Sequence, residues 1–332
     1  GYTAAESAGK AGLSVLLIEK NNLGGVCLNE GCIPTKTLLY SAKTYDSAKH
    51  ASKYAINVSE VSFDLSKIIV RKSKVVRKLV LGVKAKLASN NVAIVSGEAQ
   101  IIDKNTVRCG EETYEGENLI LCTGSETFIP PIPGVETVNY WTHRDALDNK
   151  ELPASLAIVG GGVIGMEFAS FFNSLGVQVT VVEMLDEILG GMDKELSALL
   201  RAEYAKRGIK FLLSTKVVGL SQTEGGAVVS YENAEGSGNV VAEKLLMSVG
   251  RRPVTKGFGL ENLNLEKTER GAVKVDEKMQ TSVPGVYVCG DLTGFSLLAH
   301  TAVREAEVAV HSILGKEDTM SYRAIPGVVY TN

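Results

Sequence analysis

The sequence is poor in aromatic residues and cysteines, and neither sign of charge is in strong excess. Aromatic side chains account for 6% of the 332 residues, and 38 acidic against 35 basic residues leave a formal net charge of −3. Such a small net charge provides no broad field to hold nucleic acid or an anionic membrane. With 45% hydrophobic residues, the chain can form two domains with separate cores. We therefore expect a globular protein with small-molecule partners, no nucleic acid and no membrane.

Long apolar runs and secretion features are also lacking. The longest apolar stretch, residues 155–172, is interrupted by a glycine cluster and by Glu167, which indicates a strand, a turn and a helix. Residues 1–17 show neither a basic head nor a cleavage site. The five cysteines match neither a secreted disulfide framework nor a zinc site. We expect a cytoplasmic protein without a metal, in which any disulfide serves chemistry.

One supersecondary unit occurs twice in the chain. A shift of 164 positions aligns Gly1 with Gly165, Ala5 with Ala169, Gly12 with Gly176, Val15 with Val179 and Glu19 with Glu183. The first copy starts at the glycine that would close its own glycine motif. We therefore expect that the strand and the two glycines that should come before it are missing, and with them half of a phosphate site.

The second copy holds the complete unit. An apolar strand over residues 156–159 leads into GxGxxG at Gly160, Gly162 and Gly165, then a helix, then a strand over 177–182 that ends at Glu183. Glycines there let the backbone approach a pyrophosphate, and the N-terminus of the helix attracts the negative charge. This order is typical of a dinucleotide-binding βαβ unit.

The acid at the end of the second strand indicates which nucleotide binds. The carboxylate of Glu183 would accept hydrogen bonds from ribose hydroxyls and would repel a 2′-phosphate. No arginine occurs in residues 184–189. Arg251 and Arg252 follow the last strand of the unit, and we interpret them as closing the domain. The sequence therefore predicts NAD over NADP.

A shorter repeat indicates two parallel domains. Residues 117–124 resemble residues 243–250, and both copies read as a buried strand that ends at a glycine. The proline-rich residues 128–134 between them indicate a stiff connection. We predict an α/β fold of two Rossmann-like domains, one inserted in the other. The predicted boundaries are 1–143 and 265–316 for the first domain, 144–264 for the inserted domain, and 317–332 for the start of a third.

The most informative segment is GGVCLNEGCIPTK, residues 24–36. Cys27 and Cys32 precede a helix that continues through Tyr40, and they could meet as a disulfide at its start. A helix N-terminus lowers the pKa of a thiol, and the charge of Lys36 acts in the same direction. Thiolates of this kind exchange with substrate disulfides. The alternative is two unrelated small hydrophobic residues in a loop.

Together these segments resemble the pyridine nucleotide-disulfide oxidoreductase family. The resemblance rests on residues 24–36, on Gly160 to Glu167 and on Cys289-Gly290-Asp291, and it extends from Gly1 to Asn332. It implies FAD in the first domain and NAD in the inserted one. The most similar members oxidise dihydrolipoamide through a cysteine disulfide and FAD, with NAD as acceptor. They are homodimers that reoxidise the lipoyl arm, carried on a lipoyl domain, of a 2-oxoacid dehydrogenase or glycine-cleavage complex.

The resemblance also implies a role for each matching residue. Cys27 would exchange with the substrate, Cys32 would face the flavin, and Lys36 would lie near flavin N5, paired with Glu167. A first-turn acid favoured only by the helix dipole is the alternative for Glu167. The FAD-binding positions would be Gly1, Glu19 (ribose), Lys36, Thr123, Gly124, Gly290, Asp291 (ribityl chain), Leu298 and Ala299, and the NAD-binding positions Gly160, Gly162, Gly165, Glu183 and Gly250.

The chain departs from the family at its end. The family's acid and base for thiol exchange, a His and a Glu, come from an interface domain that would only begin at residues 317–332. None of the four histidines matches that motif, so we expect weakened lipoamide exchange and no family-type homodimer from this chain. Two alternatives stay open. One is another FAD-dependent disulfide reductase of the family, and the other is a nucleotide-binding fragment without turnover.

Overall fold

The computed structural model describes residues 1–331, which divide into two compact units. Unit 1 contains residues 1–29, 77–126 and 251–326, and unit 2 contains residues 30–76, 127–250 and those from Gly327 onwards. The assignment of residues to an FAD domain and an NAD domain stays a prediction. Within residues 1–331, no helix has both the length and the apolar composition needed to cross a bilayer.

Eight helices and seventeen strands are formed by the described residues. The helices are α1 (Tyr2–Lys10), α2 (Gly25–Glu30), α3 (Cys32–Lys49), α4 (Leu65–Ser89), α5 (His143–Asp148), α6 (Val163–Ser174), α7 (Lys194–Lys206) and α8 (Ala299–Ile313). The strands are β1 (Leu16–Glu19), β2 (Ala93–Ser96), β3 (Ala99–Ile101), β4 (Thr106–Cys109), β5 (Glu112–Glu115), β6 (Leu119–Leu121), β7 (Ser125–Thr127), β8 (Tyr140–Trp141), β9 (Ser155–Val159), β10 (Gln178–Val182), β11 (Lys210–Leu212), β12 (Lys216–Thr223), β13 (Gly226–Asn233), β14 (Gly236–Ala242), β15 (Lys244–Met247), β16 (Arg251–Pro253) and β17 (Val286–Val288).

Unit 2 contains a parallel sheet in the order β11-β10-β9-β15-β8. Side chains of a strand alternate between the two faces of its sheet, and β9 buries both. Leu156 and Ile158 join a cluster with α6 and α3, whereas Ala157 and Val159 join a second cluster with the antiparallel strands β12, β13 and β14. Burial on both faces explains why β9 is an almost continuous apolar run.

Unit 1 is built from smaller sheets. Two parallel pairs, β1 with β2 and β6 with β17, lie beside an antiparallel sheet of β3, β4 and β5. Helices α1 and α8 pack together through small residues, with Ala4 and Ala8 against Ala306 and Ala309. Gly9 of α1 lies against Asn90, the residue directly after α4, where a Cβ would collide with the carbonyl oxygen of Asn90. Glycine at this position therefore lets α1 come close to the backbone of Asn90.

Candidate active site

A disulfide joins Cys27 of α2 to Cys32, the first residue of α3. Gly31 separates the two helices with φ −137° and ψ −114° and is the N-cap residue of α3. Because glycine has no side chain to cap the helix, the N–H groups and positive dipole end of α3 stay available beside Cys32. Both cysteines are partly exposed. A helix N-terminus of this kind favours a negative charge beside it.

The segment that carries the disulfide is held from both sides. Gly24 and Gly25 have left-handed φ values of 112° and 69°, which only glycine adopts at low cost. A Cβ at Gly24 would also come within 3.0 Å of Leu28. At the other end, the guanidinium of Arg144 donates two hydrogen bonds, of 2.5 and 2.7 Å, to the carboxylate of Glu30. Between these anchors the chain can place the two sulfurs in bonding distance.

Lys36 forms an ion pair with Glu167, both in unit 2. Its Nζ lies 2.7 Å from each carboxylate oxygen, and the Glu167 side chain is only 4% exposed. Lys36 follows Cys32 by one helical turn, so both side chains share a face of α3. A carboxylate this buried needs such a partner, since an unpaired buried charge is strongly destabilising.

Tyr330 completes the group around this ion pair, and no sequence pattern marked it. Its backbone N–H donates a 3.1 Å hydrogen bond to Oε1 of Glu167, and its ring centroid lies 4.7 Å from Nζ of Lys36. An ammonium over an aromatic face is attracted by the quadrupole of the ring. The cation is therefore held by a carboxylate and by an aromatic ring.

The glycine turn before α6 has the shape that a dinucleotide requires. A Cβ at Gly160 or at Gly165 would collide with the carbonyl oxygen of Ser248 or of Gly160 respectively, whereas a Cβ at Gly162 would meet no described atom within 4 Å. Gly162 is the N-cap residue of α6, so its first N–H groups lie beside open space. The turn thus fits a pyrophosphate at the helix N-terminus.

Glu183 lies directly after β10 and faces this turn. Its Oε2 accepts a 2.5 Å hydrogen bond from the N–H of Gly161, and its Oε1 accepts a 2.8 Å bond from the N–H of Leu185. Each oxygen keeps a further lone pair for a ribose hydroxyl. Gly250, with φ 119°, follows β15 in the same sheet. All five predicted NAD-binding positions therefore belong to unit 2.

The predicted FAD-binding positions other than Lys36 all belong to unit 1. Gly1 is the N-cap residue of α1, and Leu298 and Ala299 are the N-cap residue and the first residue of α8. Glu19 ends β1 and accepts a 2.9 Å bond from the N–H of Asn21. Thr123 and Gly124 follow β6, and Gly290 and Asp291 follow β17. The N-cap residue of α8 is Leu298, whose apolar side chain leaves the first N–H groups available. Helix N-termini and strand ends of this kind fit an anionic dinucleotide.

Asp291 is held by Ser125 directly and by Arg251 through Ser125. No sequence pattern indicated either residue. Ser125 donates its hydroxyl to Oδ2 of Asp291. Arg251 donates from Nε to the Ser125 hydroxyl at 2.8 Å and from its terminal nitrogen to the Ser125 carbonyl at 2.6 Å. Arg251, which lies in unit 1, is thus linked to Asp291 through Ser125. Its place after Gly250 was visible, but its partner lies 126 positions away.

The family model described as pyridine nucleotide-disulphide oxidoreductase matches residues 1–306. The chain belongs to this family. The resemblance inferred from the cysteine segment, the glycine motif and residues 289–291 is thereby confirmed. Fold and disulfide agree with membership, since family members connect a redox-active disulfide to a nucleotide-binding fold.

Relatives and solved structures extend this match. The chain is 38% identical to a dihydrolipoyl dehydrogenase of Geobacillus stearothermophilus over 337 residues, covering 100% of this chain and 71% of the relative. It is 41% identical to a dihydrolipoyl dehydrogenase of Acholeplasma laidlawii, covering 95% of this chain and 93% of the relative. The crystal structure of LpdA from Mycobacterium tuberculosis superposes with a TM-score of 0.90 at 26% identity, covering 100% of this chain and 74% of LpdA. The predicted α/β class of Rossmann type is confirmed.

Proposed function

We propose that this chain acts as a dihydrolipoyl dehydrogenase, which oxidises dihydrolipoamide with FAD and NAD. The observation that carries the proposal is the Cys27–Cys32 disulfide at the N-terminus of α3, one turn before the Lys36–Glu167 pair. Identities of 38% and 41% to proteins of that name support the substrate. The alternatives, another disulfide reductase or a fragment without turnover, have no comparable support.

The chemistry of the cysteine pair is a two-electron thiol–disulfide exchange. One thiolate of dihydrolipoamide attacks the sulfur of Cys27, the S–S bond breaks, and Cys32 leaves as a thiolate. The second substrate thiol then displaces Cys27 from the mixed disulfide and closes the lipoamide ring. The substrate loses two electrons and two protons. The cysteine pair takes both electrons, one proton goes to the thiol of Cys27, and the other goes to solvent while Cys32 stays a thiolate. FAD, when bound, supplies the chemistry that passes the electrons to NAD.

Lys36 and Glu167 serve this exchange through charge. The ammonium of Lys36, one turn after Cys32 on the same helix, favours the thiolate form of Cys32. Glu167 and Tyr330 keep that ammonium in place, at 2.7 Å and 4.7 Å respectively. Lys36 is also assigned to FAD, as the family resemblance implies. These roles belong to the proposal, together with the FAD-binding and NAD-binding positions named above.

NAD specificity rests on Glu183 in this proposal. Its carboxylate is fixed by the N–H groups of Gly161 and Leu185, and its remaining lone pairs accept from the ribose hydroxyls. A 2′-phosphate would bring like charges together. On the FAD side, Glu19 binds the ribose and Asp291 binds the ribityl chain.

The proposal extends to the cellular setting. The partner is the lipoyl arm of a 2-oxoacid dehydrogenase or glycine-cleavage complex, and the full-length protein is a homodimer in the cytoplasm. We also propose that residues 1–143 and 265–316 form the domain that binds FAD. Residues 144–264 form the domain that binds NAD in this proposal.

A substrate comparison on the flavin-loaded chain tests the function. We expect dithiol to change the visible flavin spectrum of the wild type and NAD to restore it, with dihydrolipoamide more effective than glutathione or coenzyme A. Cys27→Ser and Cys32→Ser should abolish the response. Cys109→Ser is the matched control, because Cys109 is buried and outside the disulfide, and it should respond as the wild type. Equal responses in all three variants, or a preference for glutathione, would contradict the proposal.

A further inference from the structure

Glu305 is a buried acid to which the reaction above gives no role. It lies in α8, its exposed fraction is 0%, and its carboxylate accepts hydrogen bonds from two donors. Oε2 accepts from the N–H of Gly290 at 2.5 Å, and Oε1 accepts from the hydroxyl of Tyr322 at 2.7 Å. The Thr293 hydroxyl lies 3.5 Å from Oε1, at the limit of a hydrogen bond. Burial of a carboxylate is costly unless it is hydrogen-bonded. The hydrogen bonds from these donors therefore allow Glu305 to be buried.

The first donor belongs to the turn that carries Asp291. Gly290 has a left-handed φ of 75° and starts a short 3₁₀ helix, Gly290–Thr293, directly after β17. The Thr293 hydroxyl donates a 2.9 Å bond to the carbonyl oxygen of Gly290. Glu305 and Thr293 together hold the N–H and the carbonyl of Gly290. The direction in which the next residue, Asp291, leaves the backbone is set by these two bonds.

The second donor connects the same carboxylate to the loop before α8. The ring of Tyr322 stacks on Phe295, with ring centroids 3.9 Å apart and planes inclined by 23°. Phe295 lies between the Gly290 turn and Leu298, the N-cap residue of α8. One carboxylate therefore orders two segments, and each carries predicted FAD-binding residues.

We propose that Glu305 is a positioning residue for FAD, which holds Asp291 and the loop before α8 in the geometry that receives the ribityl chain. This inference rests on the proposed function, because it takes FAD as the ligand of these segments. Glu305 itself touches the protein backbone and Tyr322. Asp291 is then held from two directions: through its side chain by Ser125 and Arg251, and through its backbone by Glu305.

Three variants and a control test the role of Glu305. Glu305→Leu removes the acceptor at similar size, Glu305→Gln keeps an amide oxygen that can accept from Gly290, and Tyr322→Phe removes only the second donor. Glu307→Gln is the control, because its side chain is 44% exposed on the same helix. The measurements are the Kd for FAD by flavin fluorescence and the amide hydrogen exchange of residues 288–298.

We expect Glu305→Leu to weaken FAD binding at least ~10-fold and to accelerate exchange of the Gly290 amide, since a buried donor loses its partner. Glu305→Gln should restore binding to within about 3-fold of the wild type, and Tyr322→Phe should lie between them. The control should match the wild type. Rescue by Gln separates a positioning role from general destabilisation, and Tyr322→Phe supplies the answer where Glu305→Leu fails to fold.

If all three variants bind FAD with the Kd of the wild type, the inference about Glu305 is wrong. The proposed function would not be affected by that result. Failure of the wild type to bind FAD would overturn the proposed function, and the inference with it. A Glu305→Gln variant as weak as Glu305→Leu would also contradict the inference, because the acceptor oxygen that Gln retains would then have no effect.

Discussion

The ring of Tyr330 lies against the ammonium of Lys36, with 4.7 Å between the ring centroid and Nζ. The backbone N–H of the same residue donates to Glu167, which pairs with Lys36. One residue thus contacts both members of the ion pair, through its backbone on one side and its ring on the other. These contacts hold the side chain of Lys36 in place, although it is 30% exposed.

The ring of Tyr330 should stabilise the ion pair independently of its hydroxyl. We expect Tyr330→Leu to lower the free energy of unfolding by about 0.5–1 kcal/mol, the range for a cation on a partly exposed ring. Tyr330→Phe keeps the aromatic face and should unfold like the wild type. Urea denaturation of the two variants measures the difference, and equal losses in Leu and Phe would assign the effect to the hydroxyl.

The Lys36–Glu167 pair should be strongly coupled. Glu167→Gln leaves an ammonium without its carboxylate, and we expect a loss of roughly 1–3 kcal/mol in the free energy of unfolding, less than for a fully buried pair because Lys36 reaches solvent. The double variant Lys36→Met/Glu167→Gln should recover part of that loss. Denaturant curves of both singles and the double variant give the coupling energy.

A matched exposed pair controls for the loss of a charge. Glu203 and Lys206 are 54% and 70% exposed in α7, and exposed pairs contribute little. Glu203→Gln should therefore leave the denaturation midpoint unchanged. Strictly additive effects at Lys36 and Glu167 would mean that the two groups do not interact in solution.

Two glycines of the NAD turn should respond differently to the same substitution. Gly162 has φ −71° and open space around it, so Gly162→Ala should fold normally but weaken NAD binding at least ~10-fold, because the methyl group blocks the approach of the pyrophosphate. Gly165→Ala should instead lower the melting temperature, since its Cβ would collide with the carbonyl oxygen of Gly160. NADH fluorescence titration and thermal denaturation separate the two effects, and wild-type affinity in Gly162→Ala would contradict this placement of NAD.

Glu305 should make the stability of unit 1 depend on pH near neutrality. Burial raises the pKa of Glu305 from 4.5 to about 7, and the nearby Cys122 and Asp291 oppose its ionisation further. Tyr322 and the N–H of Gly290 act in the opposite direction by donating to the carboxylate. The folded state therefore holds a proton that the unfolded state has released between these two pH values.

The sign follows from that difference in bound protons. Stability should fall as the pH rises from about 4.5 to about 7 and should then level off, by an amount on the order of 3 kcal/mol. Glu305→Gln carries no titrating proton and should lack this component. Urea denaturation of both proteins from pH 5 to pH 8 measures it, and parallel pH profiles would contradict a raised pKa.

Local features of this site could be predicted from the sequence because they depend on residues close together in the chain. Strands predicted over 156–159 and 177–182 are found as Ser155–Val159 and Gln178–Val182. The helix after the glycine motif begins earlier than expected, at Val163. Gly165 lies in its first turn, because only glycine can approach the carbonyl oxygen of Gly160 so closely.

The contacts that position the functional groups could not be predicted in the same way. Tyr330 meets Glu167 across 163 positions, and Arg251 meets Ser125 across 126. Ser125, which begins β7, and Tyr330 belong to no recognised motif, and their neighbours in the chain do not indicate their partners. Lys36 and Glu167, 131 positions apart, were paired in advance mainly because the family resemblance supplied the pairing.

The sequence by itself determined the fold class, the spacing of the two cysteines and the two glycine turns, because backbone freedom and helix geometry act over a few residues. Only the tertiary structure decided that Glu305 lies buried beneath Gly290 and that Tyr330 covers Lys36. Those arrangements arise when separate stretches of chain pack together. A buried charge is destabilising unless it is paired or hydrogen-bonded, so the packing must bring donors to it.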